Sequence, residues 1–457
     1  MSSSQPEPGF AYRREQFQQM VEDTLATARQ LGATDAGVDV SEGVGLSVSV
    51  RMGELENVER NRDKSLGVSV YLGQRRGNAS TSDFSPQAIA RTVQAAYDIA
   101  CFTAEDPAAG LPDADDLARP DEVAHDLELF HPWPIDAGDA AAIALCCEDA
   151  ARATSRQISN SEGASVSAQQ SHFWAGNTRG FRGGYASSRH SISVSPIAGR
   201  GEHMQRDAWA SSMRDPAELA SPEAIGRYAA ERALSRLRPR RVPTAEVPVL
   251  FEAPVAAGLL GALVAAVSGG ALYRKASFLL DSLGTRVLPE HVDVFEDPHV
   301  KKGKGSSMFD DEGVRTRARR VVDAGLLEGY FLSSYSARKL GLKTTGHAGG
   351  AHNLALTSRL TAAGDDLDAM VRRLGRGLFV TELMGQGVNP VTGDYSRGAA
   401  GFWVEDGRIA YPVQEITIAG NLRQMLRDIV AVGADAYTAG TRTIGSVLIE
   451  RMKLAGA

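Results

Sequence analysis

The sequence predicts an α+β protein in two parts. Residues 1–240 are expected to form an N-terminal α+β region of antiparallel sheets with helices, and residues 241–457 a mostly β domain, either a barrel or a curved sandwich. Three observations support this. The 457 residues exceed what one ordinary core holds. The hydrophobic period alternates between that of helices and that of strands. The segment "RPRRVPTAEVP" (238–248), rich in proline and charge, interrupts any core pattern.

The N-terminal region begins with an amphipathic helix over 14–31, whose apolar residues recur at three- and four-residue steps before Gly32 stops it. Alternation of apolar and polar residues over 46–50 and 66–72 then predicts strands with one solvated face. A helix is expected after Ser85, which is placed as its N-cap ahead of a proline. An alanine-rich helix over 136–154, strands up to residue 213 and a helix over 221–237 complete the region. A subdivision into 1–134 and 135–240 stays open.

The C-terminal domain opens with the apolar strand "VPVLFEA" (247–253), and short strands with turn signals follow residue 272. Asp406-Gly407 is a hairpin signature, because both residues tolerate a positive φ. Asp310, Asp311 and Glu312 are interpreted as turn residues before a strand, since adjacent carboxylates on a strand point to opposite faces.

The stretch "VAAGLLGALVAAVSGGAL" (255–272) has no charged side chain and is barely long enough to span a membrane. Ten of its residues are Ala or Gly, and Arg274 and Lys275 follow closely. A buried helix with small residues at its contacts is therefore predicted, and no membrane span.

Composition narrows the function classes. The net charge of −7 disfavours a nucleic-acid binder, which normally presents a basic face. The three cysteines include an adjacent pair and no CxxC motif, which fits a reducing cytoplasm. The polar start "MSSSQPEPGF" has no apolar signal core, so no export is expected.

Long blocks of the second half carry a family resemblance: "GGALYRKASFLLDSLGTRVLPE", "FLSSYSARKLGLKTTGHAGGAHN" and "TELMGQGVNPVTGDYSRGAAGFWVEDGRIAYPVQEITIAGNL". The first half agrees with "MGELENVE" and "TRGFRGGYASSRHS". Together these blocks resemble the TldE (PmbA) branch of the bacterial TldD/TldE zinc metallopeptidases, over nearly the whole chain.

The resemblance implies a pair of related subunits, of which the TldD-type subunit holds zinc through a HExxxH helix and a late cysteine. Here the HExxxH window falls on "GALVAA" (Gly261–Ala266), and the late-cysteine region falls near 443–449, which contains no Cys. Small apolar side chains can neither hold Zn²⁺ nor activate water. No catalytic residue and no metal ligand are therefore expected in this chain, and the zinc is expected in a TldD-like partner.

The remaining candidates are substrate or chamber residues. His347 and His352 flank two glycines that favour a loop, where both imidazoles could converge. Three interpretations stay open: hydrogen-bonded histidines in a turn, lining of a shared peptide channel, or a metal site that lacks an obvious third ligand. Asp394, Tyr395 and Arg397 are candidates for contacting substrate or partner, against the alternative of a satisfied turn network.

The predicted function is that of a non-catalytic subunit of a heteromeric peptidase that acts on peptides or unfolded segments, captured in extended form by strand addition. One alternative, also implied by the resemblance, is a protein-binding modulator, for example of DNA gyrase. Another is an independent hydrolase using His347 and His352. Self-association stays open.

Overall fold

The computed structural model describes residues 9–456. They form two compact units. The first runs to Leu234 and also takes in Lys301–Gly303 and Ser307–Thr316, whereas the second contains Ser235–Val300, Lys304–Ser306 and the chain from Arg317 onward. Within residues 9–456, no helix is both long and apolar enough to cross a membrane.

The first unit is built on one large antiparallel sheet. Its elements in chain order are α1 (Arg14–Gln30), β1 (Asp35–Arg51), β2 (Glu54–Leu72), β3 (Arg75–Thr81), α2 (Pro86–Phe102), α3 (Pro120–Val123), α4 (Ala137–Thr154), β4 (Ile158–Asn177), β5 (Arg182–Gly183), β6 (Ala186–Ala198), β7 (Gln205–Arg206), β8 (Trp209–Met213) and α5 (Pro222–Ser235). The strand order is β3-β2-β1-β4-β6-β7, with β5 paired to β4 and β8 to β6.

Strand β1 separates the two faces of this sheet. Its even-numbered residues Val38 and Val40 are buried in one core with Phe17 of α1 and Val93 of α2. Its odd-numbered residues therefore point to the opposite face. Helix α2 begins as predicted, because the Ser85 side chain accepts a hydrogen bond from the backbone N–H of Ala88 at 3.4 Å.

The second unit is mixed α+β. Its elements are β9 (Ala245–Phe251), α6 (Ala253–Ala266), α7 (Gly269–Tyr273), β10 (Val292–Asp297), β11 (Arg319–Asp323), β12 (Leu326–Leu327), α8 (Ser334–Leu340), β13 (Asn353–Ser358), α9 (Leu367–Leu374), β14 (Gly377–Met384), β15 (Asp394–Glu405), β16 (Arg408–Asn421), α10 (Leu422–Arg427), β17 (Ile429–Val432), β18 (Tyr437–Ala439), β19 (Arg442–Ile444) and β20 (Val447–Ala455).

Two sheets organise these elements. One has the strand order β12-β11-β10-β13-β19-β18. The other runs β16-β15-β14-β9-β20-β17, and a further pairing of β16 with β20, for example Ile418 opposite Leu454, closes five of its strands into a barrel. The predicted α+β class is confirmed, and of the two forms predicted for the C-terminal domain, a barrel or a curved sandwich, the structure has the barrel. The Asp406-Gly407 turn joins β15 to β16 with φ of 50° and 68°, as its sequence predicts.

Helix α6 is the apolar stretch singled out in the sequence. Leu259, Leu260 and Leu263 are buried in the main core of the second unit. The helix ends at Ala266, and the separate short helix α7 follows Ser268. Because α6 packs against β14 and β19, residues of these strands lie beside the window that replaces HExxxH.

Candidate functional site

The first place to look for chemistry is the α6 window Gly261–Ala266. Its side chains offer no lone pair. The guanidinium of Arg442, from β19, lies directly against this helix: a methyl group on Gly261 would be only 3.0 Å from its Nη1. Glycine at this position therefore permits the close approach of Arg442. A guanidinium is positively charged and has no acceptor, so it repels Zn²⁺ and cannot bind it. The residues present in this window do not fit a zinc ion.

The late-cysteine region gives the same result. Residues 443–449, in β19, β20 and the turn between them, contain no cysteine. The cysteines of this chain, Cys101, Cys146 and Cys147, are free thiols in the first unit. Burial raises the pKa of the Cys147 thiol to about 12, so this sulfur stays protonated at neutral pH.

His347 and His352 do converge. Gly346, Gly349 and Gly350 between and beside them adopt positive φ values of 73°, 97° and 116°, which fold the loop back on itself. The two imidazole centroids are 5.2 Å apart, and both side chains are buried. The loop predicted from the glycines therefore places the two rings side by side.

The residue that joins them is Glu296, which sequence reasoning missed. It extends from β10 and is fully buried. Its Oε2 lies 2.9 Å from His347 Nε2, and its Oε1 accepts the backbone N–H of His352 at 2.8 Å. Arg319 Nε donates to Oε2 at 2.8 Å. A detectable signal existed, because Glu296 continues the buried alternation of Val292 and Val294 along β10.

Glu296, His347 and His352 place three ligand atoms within 4.8 Å of one another, as a metal site would. Arg319 argues against a metal here. Its guanidinium is hydrogen-bonded to the Glu296 carboxylate and lies 3.4 Å from His347 Nε2. The guanidinium also lies over the Phe331 ring, 4.7 Å from the ring centre. A metal ion would have to displace this cation from the fully buried Glu296 carboxylate. The cluster is therefore an ion pair already complete within the chain.

The ionisation states agree with that assignment. Burial alone would raise the pKa of the Glu296 carboxyl, but hydrogen bonds and charge from His347 and Arg319 outweigh it and hold the pKa at about 2. Burial lowers the pKa of His347, against the opposing pull of Glu296. At neutral pH the carboxylate is thus ionised and paired with Arg319, and His347 adds its positive charge only when it takes up a proton at lower pH.

The second group of candidates begins β15. The exposed Asp394 carboxylate accepts hydrogen bonds from Thr392 Oγ1 at 2.7 Å and Asn421 Nδ2 at 3.2 Å, and these bonds lower its pKa. Tyr395 points inward, and its burial raises the phenol pKa to about 12. Asp394 and Tyr395 line an open cavity of about 530 Å³ with residues 386–390. Arg397 is not part of that lining, and its guanidinium is 3.5 Å from the Leu383 carbonyl oxygen. A substrate role for Asp394, Tyr395, Arg397, His347 and His352 stays a prediction.

Family models match almost all of this architecture. The PmbA/TldA metallopeptidase C-terminal domain covers residues 244–456, the central domain of that family covers 130–237, and its domain 1 covers 36–100. The chain belongs to the PmbA/TldA metallopeptidase family.

The TldE (PmbA) branch inferred from the sequence is confirmed by curated relatives. Metalloprotease PmbA of Escherichia coli O157:H7 is 50% identical, and the match covers 96% of each protein. A PmbA homolog of Haemophilus influenzae is 46% identical over 97% of each.

Solved structures share the fold. A candidate modulator of DNA gyrase from Bacteroides thetaiotaomicron has a TM-score of 0.90 at 25% identity, covering 96% of this chain and 99% of that one. TldE from Thermococcus kodakarensis has a TM-score of 0.82 at 19% identity, covering 96% and 100%, which bears on the fold alone. A TldD homolog of Buchnera aphidicola is 23% identical over a shorter match, 35% of this chain and 34% of that protein. A TldD-named protein is therefore among its sequence matches, and a TldE-named protein shares its fold.

Proposed function

We propose that this chain is the non-catalytic, metal-free subunit of a TldD/TldE-type peptidase. Its TldD-like partner carries the HExxxH helix and the zinc, and the assembly cleaves peptides or unfolded segments in the cytoplasm. In this proposal the chain helps to shape the substrate chamber and contributes no electrophile.

The observation that carries the proposal is the pairing of Arg442 with Gly261 on α6. A hydrolytic zinc site needs three protein ligands and an open position for water. At this window the chain has no ligand and has a guanidinium against the helix backbone. The positive charge of Arg442 therefore lies beside the segment of α6 where a zinc ion would need electron-donating ligands.

The buried Glu296 ion pair supports the same proposal. It contains the one group of three His, Cys, Asp or Glu residues within residues 9–456 whose ligand atoms lie within 4.8 Å of one another. Arg319 already engages its carboxylate. A hydrolase that used His347 and His352 on its own would have to break this ion pair first.

Metal analysis and peptide hydrolysis test the proposal together. The purified full chain is expected to contain no stoichiometric zinc and to leave an unfolded peptide uncut. Addition of the TldD-like subunit from the same host should produce both zinc and cleavage. A partner in which the HExxxH glutamate is replaced by glutamine is the control, because it should form the complex without cleaving. Zinc-dependent hydrolysis by the isolated chain would overturn the proposal, and its loss in a folded His347→Gln variant would assign the activity to the histidine loop.

A second candidate function is modulation of another protein without peptidase action. It is favoured by the structural relative from Bacteroides thetaiotaomicron that is described as a candidate modulator of DNA gyrase. The two functions are separated by affinity purification from the host. Recovery of a TldD-like chain in stoichiometric amount supports the first, and recovery of gyrase subunits without a TldD-like chain supports the second.

A further inference from the structure

Strand β2 has a long open edge, to which no other strand within residues 9–456 is paired. Its residues 66–72 pair with β3, whereas its first part, residues 54–65, pairs only with β1. At roughly 3.3 Å per residue, this open edge is about 40 Å long. Along it, alternate residues direct their backbone N–H and C=O groups away from β1. A row of such groups is a template for an added strand.

The open edge is accessible and held in its extended form. Residues 51–63 are all exposed, so neither face of this part of β2 is covered. Its neighbour β1 lies inside the sheet, because residues 37–50 also pair with β4. At the β1–β2 turn, the buried Glu148 carboxylate accepts the backbone N–H groups of Met52 and Gly53 at 2.9 and 2.8 Å. A strand that pairs here therefore meets a preformed edge and pays little to order it.

The charges along the open edge are sorted by face. Leu66 of β2 is buried in the core that α1 and α2 cover. Alternation along the strand therefore places the basic residues Arg60 and Arg62 on this face of the sheet. The acidic residues Glu59 and Asp63 lie on the opposite face. An added strand thus lies beside cations on one face and beside carboxylates on the other.

Part of this charge already has a partner within the chain. Arg62 Nη1 lies 3.0 Å from the buried Glu42 carboxylate, and Asn61 Nδ2 donates a hydrogen bond to Asp63 at 3.1 Å. The side chains of Arg60 and Glu59 make no hydrogen bond or ion pair with the described residues. The charges that an added strand has to match are therefore Arg60 on one face and Glu59 on the other.

A β-bulge places apolar surface next to Arg60. Val48 of β1 pairs with Val58, whereas Val50 pairs with Leu55, so one extra residue lies between the two pairs on β2. Leu55 and Val58 therefore lie on the same face, the one that also carries Arg60. These two residues are 59% and 41% exposed. On this face an added strand meets hydrocarbon followed by a cation.

The sorted charges disfavour a second copy of this chain as the occupant. In an antiparallel pair related by a two-fold axis, each face of one strand continues the same face of the other. Arg60 and Arg62 of one copy would then share a face with those of the other, and the acidic residues would do the same. Like charges across strands are destabilising. The occupant that fits is a strand of different sequence, with acidic residues beside Arg60 and basic residues beside Glu59.

We propose that the open edge of β2 docks a strand of a different protein chain and so extends the sheet. That strand carries acidic and apolar residues on the face of Arg60 and Val58, and basic residues on the face of Glu59. Backbone hydrogen bonds supply the pairing, and the sorted side chains select the partner over an unfolded substrate of arbitrary sequence. The proposal goes beyond the proposed function, because the edge can pair whether or not the chain assists a peptidase.

Three nonapeptides, blocked at both ends, test the proposal on the full chain. KVTEKETVK sorts valine and glutamate onto one face of a strand and lysine and threonine onto the other. KVETKTEVK has the same composition but mixes lysine and glutamate on one face. Both read the same in either direction, so strand polarity does not affect the comparison. KVPEKETPK keeps the sorted charges but lacks a backbone N–H on one residue of each face.

Calorimetric titration and hydrogen–deuterium exchange provide the measurements. KVTEKETVK should bind severalfold more tightly than KVETKTEVK and should protect backbone amides within residues 54–65. KVPEKETPK should bind weakly or not at all. Equal binding of the first two peptides would show capture irrespective of sequence, and undiminished binding of the proline peptide would show charge attraction without strand pairing. Either result overturns the proposal, as does the absence of binding at millimolar peptide.

A charge reversal locates the contact. Arg60→Glu should weaken binding of KVTEKETVK about fivefold, because a cross-strand charge pair is worth up to about 1 kcal/mol and 1.4 kcal/mol is a factor of ten. Arg91→Glu, on the exposed side of α2, makes the same charge change away from the edge and should leave the affinity unchanged. Equal effects of the two variants refute the contact. Sedimentation of the chain alone as a dimer with residues 54–65 already protected would assign the edge to a second copy and overturn the proposal.

Discussion

The buried Glu296 carboxylate allows a quantitative prediction from the substitution Glu296→Gln. The substitution keeps the shape of the side chain and removes its charge. The new side-chain amide carries N–H groups, which cannot accept hydrogen bonds. These groups would face the three donors that the carboxylate now satisfies: Arg319, His347 and the backbone N–H of His352. The Arg319 guanidinium, which is 19% exposed, loses its counter-ion. The second unit should therefore be destabilised without any change in its packing volume.

The magnitude follows from the ionisation. A carboxyl whose pKa falls from 4.5 in the unfolded chain to about 2 in the folded chain contributes roughly 3 kcal/mol at neutral pH. Breaking a buried ion pair from one side costs about 3–5 kcal/mol, which agrees. Because the folded pKa is lowered, the contribution is complete above pH 4.5 and is lost as the pH falls toward 2. At pH 3.5 about 2 kcal/mol should remain. The lowered pKa of His347 has the same sign, since it favours the unfolded chain as the pH falls below 6.5.

Urea unfolding of the full chain, followed by tryptophan fluorescence and circular dichroism, measures this difference at pH 7 and pH 3.5. The matched control is Asp323→Asn, which removes a half-exposed partner of Arg359 and should cost less than about 1 kcal/mol. A loss below 1 kcal/mol for Glu296→Gln at pH 7, or a difference that does not shrink in acid, would refute the assignment of the cluster as an ion pair. A rise in the unfolding temperature of the parent on adding zinc would do so as well.

Two further substitutions test the fold. Leu260→Ala empties a fully buried position on α6 and should cost about 2–5 kcal/mol in urea unfolding, with a smaller loss indicating that the helix is not a core element. Ser85→Ala removes the side-chain cap of α2 and should cost about 1 kcal/mol, whereas Ser85→Gly should cost only a few tenths, an order that would be reversed if the cap did not form.

Local features of the sequence predict most elements of this fold. The period-two alternation of β1 and β2, the Ser85 cap and the Asp406-Gly407 turn depend on residues a few positions apart. Closure of the barrel depends instead on residues that are far apart in the sequence. It requires Ile418 of β16 to pair with Leu454 of β20, so the sequence alone leaves barrel and sandwich open.

The candidate site divides in the same way. The glycines beside His347 and His352 predict that the two rings meet, because chain reversal is a local property. The groups that decide their chemistry come from other strands: Glu296 from β10 and Arg319 from β11. Without them, a hydrogen-bonded turn and a metal site could not be distinguished. Burial of Glu296 was detectable from its place in the alternation of β10, but its partners were not.

Arg442 also bears on the proposal that the partner subunit, and not this chain, holds the zinc. The sequence of α6 shows that zinc ligands are missing, but it does not show what occupies their place. Two unit charges 4 Å apart interact by about 4 kcal/mol at the effective dielectric constant typical of proteins, so a guanidinium at that distance from Zn²⁺ would cost on the order of 8 kcal/mol. Structural zinc binds with roughly 10–16 kcal/mol, so this repulsion would cancel about half or more of it. Histidines restored to α6 would thus bind zinc much more weakly while Arg442 remains. The window is occupied by a group that opposes a cation, and this makes an electrophile supplied by a partner the more economical arrangement.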